Sequence, residues 1–230
     1  MRLQELTEAR VEPDKNFMSR VEQIIDDSIE EYQEVLDSNG DVDDIDELEE
    51  ILNQNNYDNL PIEFIATDQE RKDPNEWISA EAGIDKDGKF MQVYLFTKNL
   101  EGKYGPKTFK QLVMRMLAHE TIHWNQYKKI GMDRVNKIKS GHQKGTELAY
   151  KTGNPKDWMR EYLRDPHELM AYGSDLASEI KDTENPEQVL RNPEAYKNDL
   201  PSYARYREIF EPNSKEIKQL LKYTADYYNG

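Results

Sequence analysis

Five residues of this chain make its most specific chemical statement: His119-Glu120-Thr121-Ile122-His123. Two histidines four apart on a helix project from one face, one turn from each other. Imidazoles so placed can hold a single zinc ion. The glutamate after the first histidine can reach a water on that ion and take its proton. The bland rival is a surface helix carrying two solvated histidines. The chain has 4 histidines in all, and two of them fall in this run, inside an otherwise apolar pattern.

That pattern must supply the geometry. Phe109, Leu112, Val113, Met116 and Leu117 recur at three and four, the period of a helix with one buried face. Gly105-Pro106 reads as its start, with proline at a tolerated first position. Gly131 reads as its end, after Lys128 and Lys129 in the last turn. The expected span is Pro106–Ile130. Leu112, Met116 and Trp124 read as core, and Gln126 as a support for a ligand.

A catalytic zinc site takes three protein ligands and keeps one position open. The chain has no cysteine, so the ligands must be His, Asp or Glu. Metzincins place glycine three and histidine six residues after the second histidine; here those positions are Gln126 and Lys129, which excludes that group. The remaining candidates lie downstream, in Asp165-Pro166-His167-Glu168-Leu169-Met170-Ala171-Tyr172-Gly173-Ser174-Asp175. Asp165-Pro166 opens a new helix with Glu168 in its first turn. Glu168 is a candidate ligand there, or only a first-turn acid complementing the helix dipole. His167 and Asp175 compete for the ligand role. Tyr172, one turn beyond Glu168, could donate to a developing oxyanion or serve as a core tyrosine. Tyr162 and His142 are further oxyanion candidates.

Composition sets the outer bounds. The chain has 230 residues and a net charge of −15, from 31 basic and 46 acidic side chains. Such a balance argues against generic nucleic-acid binding. The charge is unevenly spread: residues 22–50 hold 14 acids and no Lys or Arg, whereas residues 103–160 hold 13 basic and 4 acidic residues. The acidic stretch reads as a solvated helical face, or as a surface that docks on the basic half or on a partner. Asp37, Asn39, Asp41 and Asp43 do not make a calcium loop, because Val42 and Leu48 stand where glycine and glutamate are needed. Met1-Arg2-Leu3-Gln4-Glu5 has no signal-peptide pattern, and no run of apolar residues is long enough to span a bilayer. The expectation is a cytoplasmic protein with no membrane partner.

Helices are expected over 14–37 and 43–54, split at Ser38-Asn39-Gly40. Ile24, Ile25, Ile29 and Leu36 give the first an apolar stripe that must be covered, so it should pack on the core. Strands are expected at Pro61–Ala66, Trp77–Ile84 and Phe90–Phe96, the last two joined by a hairpin turn at Asp85-Lys86-Asp87-Gly88-Lys89. Residues 133–156 read as an exposed loop. Helix is expected at Asp157–Leu163, from Asp165 to about Ile180, and through the proline-broken remainder. The domain reading is an acidic helical segment at 1–55, a catalytic core at 56–184 and a helical extension at 185–230.

This layout resembles the gluzincin branch of zinc metallopeptidases, in which a glutamate on a second helix completes the H-E-x-x-H pair. It also looks like compact metallopeptidases carried by phages and mobile elements, with H-E-x-x-H-x-x-Q followed by P-x-E-x-x-A; Gln126 and Pro166–Ala171 match. The resemblance covers roughly residues 60–180. It implies an α+β, zincin-like fold: a small mixed sheet, the motif helix and a second ligand helix, with added helices at both ends. It implies one zinc per chain, His119, His123 and Glu168 as ligands, Glu120 as base, and Phe90–Phe96 as the edge strand lining the cleft. Thermolysin-like relatives place an aspartate four after the ligand glutamate; this chain has Tyr172 there, and Asp175 is the substitute that could orient a ligand histidine. The implied activity is peptide-bond hydrolysis on a protein or peptide substrate. Two other readings stand beside it: a silent protein whose zinc only staples the fold, acting as an inhibitor or structural component, and an acidic interaction protein that mimics nucleic acid.

Overall fold

Apolar residues alternate along three short segments and build the sheet. In the computed structural model these are β1 (Ile62–Thr67), β2 (Ile78–Asp85) and β3 (Gly88–Phe96). The order is β1-β3-β2, with β1 parallel and β2 antiparallel to β3. The register aligns Phe64 with Val93 and Val93 with Ala80, so the three strands share one core face. Glu63, Gln92 and Glu81 align on the opposite face. The Phe90–Phe96 strand is therefore central and not the edge expected of it. A parallel partner, β1, occupies its second side, and β2 is the strand left at the rim beside it.

The structure describes residues 11–39, 45–69, 78–85, 88–100, 105–130 and 140–229. Gly40, residues 43–44, Trp77, Lys86-Asp87 of the expected turn, Gly131 and residues 133–139 of the expected loop lie outside them. Helix α1 spans Lys15–Asn39, α2 Ile45–Gln54, α3 Thr97–Leu100 and α4 Pro106–Ile130. Then follow α5 (Gly141–Thr152), α6 (Pro155–Leu163), α7 (Pro166–Lys181), α8 (Pro186–Arg191), a 3-10 helix (Pro193–Asp199), α9 (Pro201–Arg207) and α10 (Lys215–Tyr228). The molecule is mixed α+β. No described helix is long and apolar enough to cross a membrane.

The chain divides into two compact units, Pro13–Trp124, and Asn125–Gly230 together with the residues before Pro13. In the first, the apolar stripe of α1 (Phe17, Val21, Ile24, Ile25) joins one core with Phe64, Val93 and Leu95 of the sheet and Phe109, Val113 and Leu117 of α4. Phe17 meets Trp124 edge to face, with ring centroids 4.9 Å apart. Lys110 reaches Asp26 at 2.7 Å and Glu22 at 3.0 Å on the acidic face of α1. Its hydrogen bond to Asp26 raises its pKa.

In the second unit, α7 packs against α9 and α10. Residues 141–152, expected within a loop, form α5. Their sparse apolar content hides the helix, and local chemistry makes it. Ser140 and Gln143 form a reciprocal capping box at its start. Gly145 lets the α6 backbone close in: a Cβ there would sit 2.6 Å from the Trp158 carbonyl oxygen. The α5–α6 pair is thus held by backbone proximity where a leucine seam is absent.

Candidate metal centre

Helix α4 places its motif at a burial boundary. His119 is 8% exposed and His123 6%, and their rings lie 5.0 Å apart. Thr121, on the far side of the helix, is fully buried and accepts the Asp14 N–H. Glu120, between the two histidines in sequence, reaches the sheet. Its Oε2 accepts the main-chain N–H of Ala82 in β2 at 3.1 Å. That amide is therefore directed away from β3, off the rim of the sheet. Four residues on, Trp124 Nε1 donates to the carbonyls of Gly83 and Phe90, at 3.2 and 3.1 Å.

Helix α7 begins with an N-cap. Asp165 Oδ1 accepts from the His167 N–H, and its Oδ2 accepts from the Gly141 N–H of α5 at 2.6 Å. Pro166 follows at the first helical position. This start sets Glu168 in the first turn, half-buried. Gln126, 3% exposed, donates to the His167 carbonyl at 3.3 Å and touches Met170 Sδ at 3.6 Å. It secures the opening turn of α7 and is not presented for reaction.

One donor atom from each of His119, His123 and Glu168 lies within 4.8 Å of the others. Two imidazole nitrogens and one carboxylate oxygen are a donor set suited to zinc. In a tetrahedral site such atoms stand roughly 3.5 Å apart, so seating an ion requires movement on the order of 1 Å. The residues present therefore fit the group.

The other candidates fall into distinct surroundings. His167 Nδ1 faces Asp165 at 3.4 Å. Asp175 is buried on α7. His142 and Tyr162 both pack on Trp158, at 5.3 Å edge-on and 5.2 Å stacked. Tyr172 is buried, and its hydroxyl accepts a hydrogen bond from Arg205 Nη1 at 2.6 Å. The guanidinium also lies over its ring, at 5.9 Å.

Two contacts around these residues escape sequence reasoning. Ala82 acts through its main chain, which no side-chain motif records. Arg205 comes from α9, 33 residues beyond Tyr172, in a segment whose visible signal is only the Leu200-Pro201 break. No family model, no curated protein and no solved structure matches this chain.

Proposed function

We propose that the chain is a zinc-dependent metallopeptidase with a zincin-like core. The observation that carries this reading is the convergence of His119, His123 and Glu168 donors within 4.8 Å, with a carboxylate, Glu120, next to the first of them. His119, His123 and Glu168 would hold the ion. Zinc bound there would polarise a scissile carbonyl and lower the pKa of an attacking water to about 7.

The remaining steps belong to the protein. Glu120 accepts the proton of the attacking water and delivers it to the leaving amine. The Ala82 N–H holds the carboxylate by a charge-assisted hydrogen bond, which fixes its direction. An extended peptide lies along β2, the rim strand on Glu120's side, and takes main-chain hydrogen bonds from it. Arg205 donates to the Tyr172 hydroxyl oxygen and orients that phenol, which would donate to oxygen charge that develops in the reaction.

Metal analysis of untagged protein tests the centre. About one zinc per chain is expected, lost in His119→Ala and in His123→Ala and strongly weakened in Glu168→Ala. Full zinc retention in Glu168→Ala would move the third ligand to His167 or Asp175. Hydrolysis tests the activity. The zinc-loaded chain should cleave denatured casein, stop on chelation and resume when zinc is returned. A chain that binds zinc and leaves a broad set of unfolded proteins and peptides intact would reduce the ion to a structural staple.

A further inference from the structure

Helix α9 carries a group that the chemistry above leaves unused. Tyr206 is fully buried, and its hydroxyl has no hydrogen-bond partner among the described residues. Leaving a buried hydroxyl unmatched costs about 1–3 kcal/mol, so such a group calls for a reason. Its neighbour Tyr203, on the same helix, follows the rule: that hydroxyl donates to Glu194 at 2.8 Å.

The surroundings of Tyr206 suggest the reason. Its ring packs edge-on against Tyr172, with centroids 5.5 Å apart. Tyr172 lies one turn beyond Glu168 on the same face of α7. Burial raises the Tyr206 pKa well above 10.0, and the charges of Tyr172, Glu168, Asp175 and Asp165 raise it further. The phenol therefore stays protonated and can only be useful as a donor or a weak acceptor. It stands within electrostatic reach of the one carboxylate in the candidate ligand set.

We infer that Tyr206 is a positioning residue for Glu168, its hydroxyl donating to the carboxylate oxygen that does not face the metal when an ion is bound. A ligand carboxylate has two oxygens, and metal sites commonly tie the outer one by a hydrogen bond that fixes its direction. The inference rests on the proposed metal centre. It assigns to the C-terminal helices a part in holding the third ligand.

Tyr206→Phe isolates the hydroxyl, because the ring and its packing on Tyr172 are kept. The experiment uses the full chain, stripped of metal and then titrated with Co(II), with zinc measured by competition against a chromophoric chelator. Thermal unfolding is followed in the metal-free state. Tyr203→Phe is the control. In Tyr206→Phe the metal-free Tm should hold or rise, because an unmatched hydroxyl is removed. Its zinc affinity should fall about 10–100-fold. Tyr203→Phe should lower Tm and leave zinc affinity at the parent value. A Tyr206→Phe chain that binds zinc as tightly as the parent overturns the inference alone. So does a Tyr203→Phe chain that loses as much zinc affinity as Tyr206→Phe. A parent chain that binds neither Co(II) nor zinc overturns the metal centre, and the inference falls with it.

Discussion

The two rims of the sheet use the same contact to different ends. On β1, the Ala66 N–H is accepted by Glu49 of α2 at 2.9 Å. On β2, the Ala82 N–H is accepted by Glu120 of α4 at 3.1 Å. The difference lies in what surrounds each glutamate. Asn53 copies a neighbouring strand: its Oδ1 accepts the Phe64 N–H, and its Nδ2 donates to the Phe64 carbonyl. Asn56 accepts from Leu60 N–H and donates to the Leu60 and Ile62 carbonyls. The β1 rim is thereby closed by side chains, a standard guard against unwanted strand pairing. Glu120 has no asparagines beside it; it has His119 on one side and His123 three residues on. A carboxylate on a rim amide is structural when its neighbours finish the job. Glu120 stands instead between two histidines, which under the proposed function would leave it available for chemistry.

The largest expected effect breaks this comparison on the β2 side. Glu120→Gln should keep its zinc and its contact with Ala82. It should lose peptide hydrolysis by at least 10²–10⁴-fold, roughly the contribution of a general base, with stability unchanged within about 0.5 kcal/mol. Steady-state cleavage, metal analysis and urea unfolding on the same preparations read all three. Cleavage at the parent rate would show that the two rims do not differ in function.

Asn53→Ala probes the β1 side. It leaves a part-buried N–H and carbonyl of Phe64 to find other partners, so unfolding free energy should drop by about 2–3 kcal/mol. Zinc content should not change. If denaturant midpoints coincide with the parent, α2 does not close that rim.

Glu49→Gln sharpens the pair more gently. The amide oxygen still accepts from Ala66, but without charge, and the cost should be about 0.5–1 kcal/mol. Equal losses in Glu49→Gln and Glu120→Gln, in both stability and activity, would erase the contrast.

The smallest effect calibrates what a carboxylate is worth away from either rim. Hydrogen bonds from Arg207, then Tyr203, hold the Glu194 pKa below 4.5. A carboxylate with a lowered folded-state pKa stabilises the fold above its unfolded value, and that stability fades as pH falls through the folded value. Glu194→Gln should therefore cost less than about 1 kcal/mol at neutral pH. The difference from the parent should begin to shrink below pH 4.5 and vanish once pH has fallen past the lowered folded-state value. A gap that widens on acidification would reverse the sign.

Sequence was informative where local pattern decides structure. The spacing around the motif predicts Pro106–Ile130, which is the observed span of α4. Asp165-Pro166 marks the start of α7, and with it the first-turn position of Glu168. The strand order was not legible. Whether β3 is central depends on β1 pairing with it in parallel, Ile62 beside Met91, with all of β2 lying between them in sequence, and no single strand records its neighbours. Helix α5 was hidden because caps and a glycine approach define it in place of an apolar stripe. The Arg205 contact to Tyr172 was invisible because an arginine followed by a tyrosine in a proline-broken segment carries no motif.

Gly83 and Ala82 are neighbours with opposite tolerances. Position 82 gives its amide to Glu120 and its methyl group to the core face, where it packs against the core with Ala80, so a large side chain there would meet the core. Position 83 lies on the outer face: a Cβ there would stand 2.5 Å from the far end of the half-buried Phe90 ring, which must swing aside, beside the two carbonyls that Trp124 ties to α4. A saturation scan of β2 should therefore alternate, restrictive to large side chains at 82 and more permissive at 83. Substitution along this rim then has one adjustable position, 83, and one fixed point, 82, to build on.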